Sequence, residues 1–94
     1  MALAVLSISR GRLGACRDEL RAFLLTANLR SGHAAVRIIS DGVVWGGGDW
    51  SLDGADSAIV AEQIAVYLAE RAGESGLEAT ISLRRRGRVV SLRR

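Results

Sequence analysis

Three aspartates, three consecutive glycines and two tryptophans fall within residues 45–56, WGGGDWSLDGAD. Carboxylates at that density suggest a hard cation, and glycines ahead of a helix suggest a phosphate. Asp49, Ser51, Asp53 and Gly54 spell D-x-S-x-D-G. A calcium loop uses oxygen ligands at positions 1, 3 and 5, with glycine at 6 for the sharp turn. Its twelfth position should be a bidentate glutamate and is Val60 here; the eighth, usually apolar, is Asp56. Asp49, Ser51 and Asp53 are therefore weak metal candidates, and no metal or cofactor is expected. A phosphate fits less well. Backbone amides at a helix start can cradle an anion, but the Gly-Lys-Ser/Thr ending of a phosphate loop is missing. Asp49, Asp53 and Asp56 would also repel the anion. The plainer role is capping: Asp53 is expected to cap the second helix, with Asp56 in its first turn, where carboxylates oppose the positive end of the dipole.

Other reactive side chains are sparse. His33 is the sole histidine and Cys16 the sole cysteine. His33 falls in an expected loop, and Cys16 lies on the apolar stripe of an expected helix, where a thiol is inert. Zinc needs more such ligands than the chain holds, and no catalytic residue is expected. The C-terminus is richer. Arg84, Arg85, Arg86 and Arg88 surround one turn, and Arg93 and Arg94 follow. A basic ribbon of this kind suits phosphates, so nucleic acid is a possible partner. The ribbon contains no aromatic side chain on which bases could stack.

The elements that must position these groups follow from periodicity. Residues 2–9, ALAVLSIS, carry apolar side chains on both faces, which predicts an interior strand. Cys16, Leu20, Phe23, Leu24 and Ala27 repeat at the helical period and predict a helix over 14–28. AAVRIIS, 34–40, and VVW, 43–45, flank Asp41-Gly42, a strong hairpin signal because its turn needs positive φ. The glycines are expected to end or bend that second strand. A second helix is expected over 54–72, with Val60, Ile64, Tyr67 and Leu68 inward and Gly73 beyond its end. Residues 79–92 alternate as a last hairpin with Gly87 at its turn.

Length allows a single domain, residues 1–94. No apolar run reaches the ~18 residues of a membrane span, and MALAVLSISR does not read as a signal peptide. One cysteine excludes an internal disulfide, which suits a cytoplasmic location. All basic residues are arginine, and they are segregated. Residues 1–40 hold six Arg and two acids (+4), residues 41–78 hold one Arg and eight acids (−7), and residues 79–94 hold six Arg (+6), which add to the net charge of +3. Such poles engage a partner or attract each other within the fold.

The order β-α-β-β-α-β-β predicts an α+β, ferredoxin-like βαββαβ fold with an extra C-terminal strand. The first and third strands would be central, under two helices on one face. Leu3 and Val5 would then lie on the open face with Val43 or Val44, Trp45 and Trp50. Bare apolar surface there predicts a homo-oligomer or a partner protein.

Three segments resemble known families. SISRGRLGACRDELRAFLL looks like the first strand and helix of antibiotic-biosynthesis-monooxygenase-like domains, which implies a ferredoxin-like dimer. GHAAVRIISDGVVWGGGDWSLDGADSAIVAEQIAVYLAE is similar to roadblock/LC7 domains, which implies an αββαββ alternative and dimeric partners of small GTPases. AVYLAERAGESGLEATISLRRRGRVVSLRR resembles the terminal helix and hairpin of effector-associated adaptor domains of bacterial conflict systems. Together these imply a small non-enzymatic interaction or adaptor module. A ferredoxin-like enzyme with a pocket near Trp45 and Trp50 ranks third, behind nucleic-acid binding.

Overall fold

A computed structural model describes residues 2–27, 31–73 and 76–85. Along the chain run β1 (Ala2–Ile8), α1 (Arg17–Ala27), β2 (His33–Ser40), β3 (Val43–Ser51), α2 (Ser57–Glu70) and β4 (Leu77–Arg84). The strands form one antiparallel sheet in the order β1-β4-β2-β3. Among the described residues the protein is thus α+β, with four antiparallel strands and two helices.

The element order of a split βαβ pair is present, but the expected strand order is not. The second and fourth strands occupy the centre, and the first and third form the edges. Each βαβ half leaves a gap one strand wide, and the other half fills it: β4 sits between β1 and β2, and β2 sits between β3 and β4. An interior position for β1 was the natural reading of a strand apolar on both faces. Its edge position corrects that reading. The described order also departs from αββαββ, since a strand precedes the first helix.

Because β4 is flanked on both sides, it has no edge left for a hairpin partner. The extra C-terminal strand expected beyond Gly87 lies outside the described residues.

Alternation builds the core. Leu77, Ala79, Ile81 and Leu83 of β4 are buried, as are Ala34, Val36 and Ile38 of β2. Ile8 joins them from β1, with Ala4 and Leu6 half-buried beside it. From above come Cys16, Leu20 and Leu24 on and just before α1, and Val60, Ala61, Ile64, Ala65 and Leu68 on α2. These positions carry the 3.6-residue stripe expected of helices packed on a sheet.

The β2–β3 turn is as the sequence predicts, with Asp41 at φ 50° and Gly42 at φ 81°. The glycines do not end β3. It runs through them to Ser51, with Gly46, Gly47 and Gly48 opposite Ile38, Arg37 and Val36. Gly47 adopts φ +156°, where a Cβ would lie 2.1 Å from the Val36 carbonyl oxygen. Gly48 underlies the Trp50 indole, two residues on and on the same side of the strand; a Cβ there would lie 3.3 Å from the ring. An aromatic ring thus covers the backbone that the glycines expose.

Both edge strands are irregular. The register slips between Ala2 and Ala4 on β1, and between Val44 and Gly46 opposite Ile39 and Ile38 on β3. Leu3 and Trp45 are the extra residues, as in a bulge.

Candidate functional site

The residues 45–56 do not converge on a cation. Asp49 and Ser51 belong to β3 and are paired with β2, opposite Ala35 and His33. Asp49 Oδ1 lies 2.8 Å from His33 Nδ1. An ionised carboxylate can only accept, so the histidine nitrogen carries the proton in this pair. His33 is therefore the first residue of β2, not a loop residue.

Asp53 turns the other way. Its Oδ1 accepts from the Gly32 N–H at 2.8 Å, and the Gly32 carbonyl accepts from the Leu52 N–H at 2.8 Å. These bonds tie the β3–α2 connection to the start of β2. Gly32 is pressed against β4: at φ +116° its Cβ would meet the Arg84 carbonyl oxygen at 2.1 Å. The expected cap is therefore shifted. Asp56 caps α2, its Oδ1 accepting from the Ala58 N–H at 2.8 Å. Gly54, at φ +65°, turns the chain between the two aspartates. No group of three or more His, Cys, Asp or Glu that could hold a metal occurs among the described residues. Replacing Asp56 by Ala should lower stability by about 1 kcal/mol, the usual worth of such a cap. Urea unfolding followed by circular dichroism would measure this, and an unchanged midpoint would show that another group caps the helix.

Cys16 is buried, and its Sγ faces the Leu13 carbonyl oxygen at 3.6 Å. Burial pushes its pKa up, outweighing a local backbone hydrogen bond and the Arg12 charge, which act the other way. Burial thus disfavours the thiolate, the form a nucleophile requires.

The tryptophans occupy separate environments. Trp50 packs edge-on against Tyr67 of α2, with ring centroids 5.1 Å apart at 71°. The Arg71 guanidinium covers the same tyrosine at 3.6 Å and donates to the Tyr67 carbonyl at 2.8 Å. Trp50, Tyr67 and Arg71 thus form one stack joining β3 to α2. Trp45 is 53% exposed and lies five residues back, about 16 Å along an extended strand. A single pocket within the chain is not built from both rings.

The apolar residues expected to share the open face are divided. Leu3 (49% exposed) and Val5 (55% exposed) stand on one edge, and Val43, Val44 and Trp45 stand exposed on the other. Three interstrand steps, roughly 14 Å, separate the edges. Between them the open face is small and polar. One row reads Val5, Ser82, Ala35, Asp49, and the next reads Ser7, Thr80, Arg37, Gly47. Trp50 lies apart from this set, on the face covered by α2.

Ion pairs of Arg10 and Arg17 join the basic first segment to the acidic middle. Arg10 lies 3.9 Å from Asp41 and 3.8 Å from Glu78, and Arg17 lies 3.0 Å from Glu62. Arg12 pairs with Glu19 within α1's own approach. All these groups are largely exposed, so each pair is worth little in stability. They nevertheless show part of the charge segregation closing within the fold. Of the arginine ribbon, Arg84 is half-buried on the open face opposite His33, and Arg85 is exposed. Arg86, Arg88, Arg93 and Arg94 lie outside the described residues. No helix among the described residues is long and apolar enough to cross a membrane.

One surface feature had no sequence signal, because it needs two elements at once. A groove of about 480 Å³ opens between β1 and α1, lined by Ala4, Leu6, Glu19, Ala22, Phe23 and Thr26 among others. It adjoins the exposed backbone edge of β1. No protein-family model, no curated protein and no solved structure matches the chain.

Proposed function

We propose that this protein is a non-enzymatic interaction module that associates with itself through its sheet. One observation carries the reading: five of the eight exposed large apolar side chains among the described residues stand on the two edge strands, Leu3 and Val5 on β1 and Val43, Val44 and Trp45 on β3, while Leu25, Ile59 and Val66 are scattered on the helices. Edge strands of small sheets are ordinarily blunted by charge to prevent pairing. Here β1 has no charged residue and β3 has one, Asp49. Apolar surface in such a place gains most when a second chain covers it. The surroundings offer little for catalysis, since the sole thiol is buried where its thiolate is disfavoured and the sole histidine is engaged by Asp49.

Sedimentation equilibrium of the full chain at micromolar concentration tests this reading, and a concentration-dependent dimer is the expected result. A monomer at several hundred micromolar would overturn it. The same samples in a nucleic-acid shift assay weigh the alternative. Arg37 and Arg84 rise from the two central strands on the open face, a placement compatible with phosphate contact. Salt-sensitive binding by a chain that stays monomeric would favour that alternative.

A further inference from the structure

We infer that β1 pairs antiparallel with β1 of a second copy about a two-fold axis at Val5, so that two four-stranded sheets become one. This rests on the self-association proposed above and names the edge that carries it. Three observations select β1 over β3. First, ALAVLSI has the composition of an interior strand yet occupies an edge; a paired partner would give it the surroundings its composition suits. Secondly, the centre of the β3 edge is Gly46, Gly47, Gly48 and Asp49, which offers almost no apolar side chain to cover. The centre of the β1 edge is Ala4, Val5 and Leu6. Thirdly, the edge of β1 continues into the groove under α1, where Ala4, Leu6 and Phe23 remain only half-buried.

The axis at Val5 follows from side-chain size. Pairing about Val5 sets Val5 against its own copy on the open face. On the helix face it sets Leu6 of one copy against Ala4 of the other, large against small, beside the groove. The two α1 helices then approach along Ala22 and Thr26, whose small side chains allow close contact. The seven residues of β1 span about 23 Å. Sheet and helix layers together stand roughly 20 Å high at this edge. Each copy would thus contribute on the order of 500 Å² before side-chain relief, which brings the total close to the ~1,000 Å² of a specific interface.

Two substitutions test the inference on the full-length chain. Val5→Lys should weaken dimerisation by about 100-fold or more, because like charges held face to face across the axis are costly. Val5 is exposed, so far-UV circular dichroism should be unchanged. Trp45→Lys should leave the dimer intact. In the second test, Val5→Cys should oxidise rapidly to a disulfide-linked dimer, since directly opposed Cβ atoms lie about 5 Å apart, while Trp45→Cys should not. Buried Cys16 does not compete. A dimer that survives Val5→Lys and is not linked by Val5→Cys overturns the β1 edge and leaves self-association standing. A monomeric parent chain overturns both.

Discussion

Gly47→Ala should lower the protein's stability by more than about 4 kcal/mol, which is exceptional for one methyl group. Two effects combine. The φ of +156° is one that an L side chain rarely adopts, at a cost of about 1–3 kcal/mol. The added Cβ also meets the Val36 carbonyl oxygen at 2.1 Å. Relief requires β3 to draw away from β2, which sacrifices ladder bonds around the Val36–Gly48 and Arg37–Gly47 pairs. Gly46 supplies the control. A Cβ there meets nothing within 4 Å, so Gly46→Ala should change stability by no more than about 1 kcal/mol and in the favourable direction. Urea unfolding of the three proteins, followed by tryptophan fluorescence, would settle the difference. Equal midpoints for Gly47→Ala and the parent would refute the close approach at that position.

The second large effect is expected at Ile64. It is fully buried on α2 within the cluster that includes Leu20, Leu24 and Leu68. Ile64→Ala removes three carbons from a packed site and should cost about 2–5 kcal/mol, depending on how far the helices relax into the space. A folded domain has a total stability of about 5–15 kcal/mol, so the melting temperature should fall by many degrees. Ile59→Ala, five residues earlier on the opposite side of the helix and 57% exposed, should shift it little. Comparable losses at both positions would mean that α2 presents a different face to the sheet.

Local pattern made the elements legible, and long-range pairing did not. The spacing of Cys16, Leu20 and Leu24, and of Val60, Ile64 and Leu68, gave both helices and their buried faces. Asp41-Gly42 gave the hairpin because its turn demands positive φ. Glycines 46–48 misled, since a strand residue without a side chain shows no alternation, and the Trp50 ring over Gly48 is seen only in three dimensions. The sequence pointed to Asp53 as the cap, with Asp56 inside the first turn. The choice fell to Asp56 because Gly32, distant in sequence, engages Asp53. Strand order was the deepest loss. Nothing local distinguishes an interior strand from an edge strand that is apolar on both faces, so β1 pointed to the centre of the sheet. The candidate surface was affected in turn: Leu3 and Val5 were legible as exposed, but their separation from Trp45 depended on that order.

The central place of β4 also governs when the fold can form. Among the described residues β1 pairs with β4 alone, so the first described strand waits for the last. A nascent chain that has reached Gly76 has both helices and the β2–β3 hairpin, but β1 has no neighbour within the sheet. Its apolar residues must be shielded by something else until Leu77–Arg84 arrive to join the two halves. Contacts between sequence-distant strands slow folding and prolong exposure of sticky edges. For this chain that interval should end in one late, cooperative step, in which the insertion of a single strand completes both halves of the sheet.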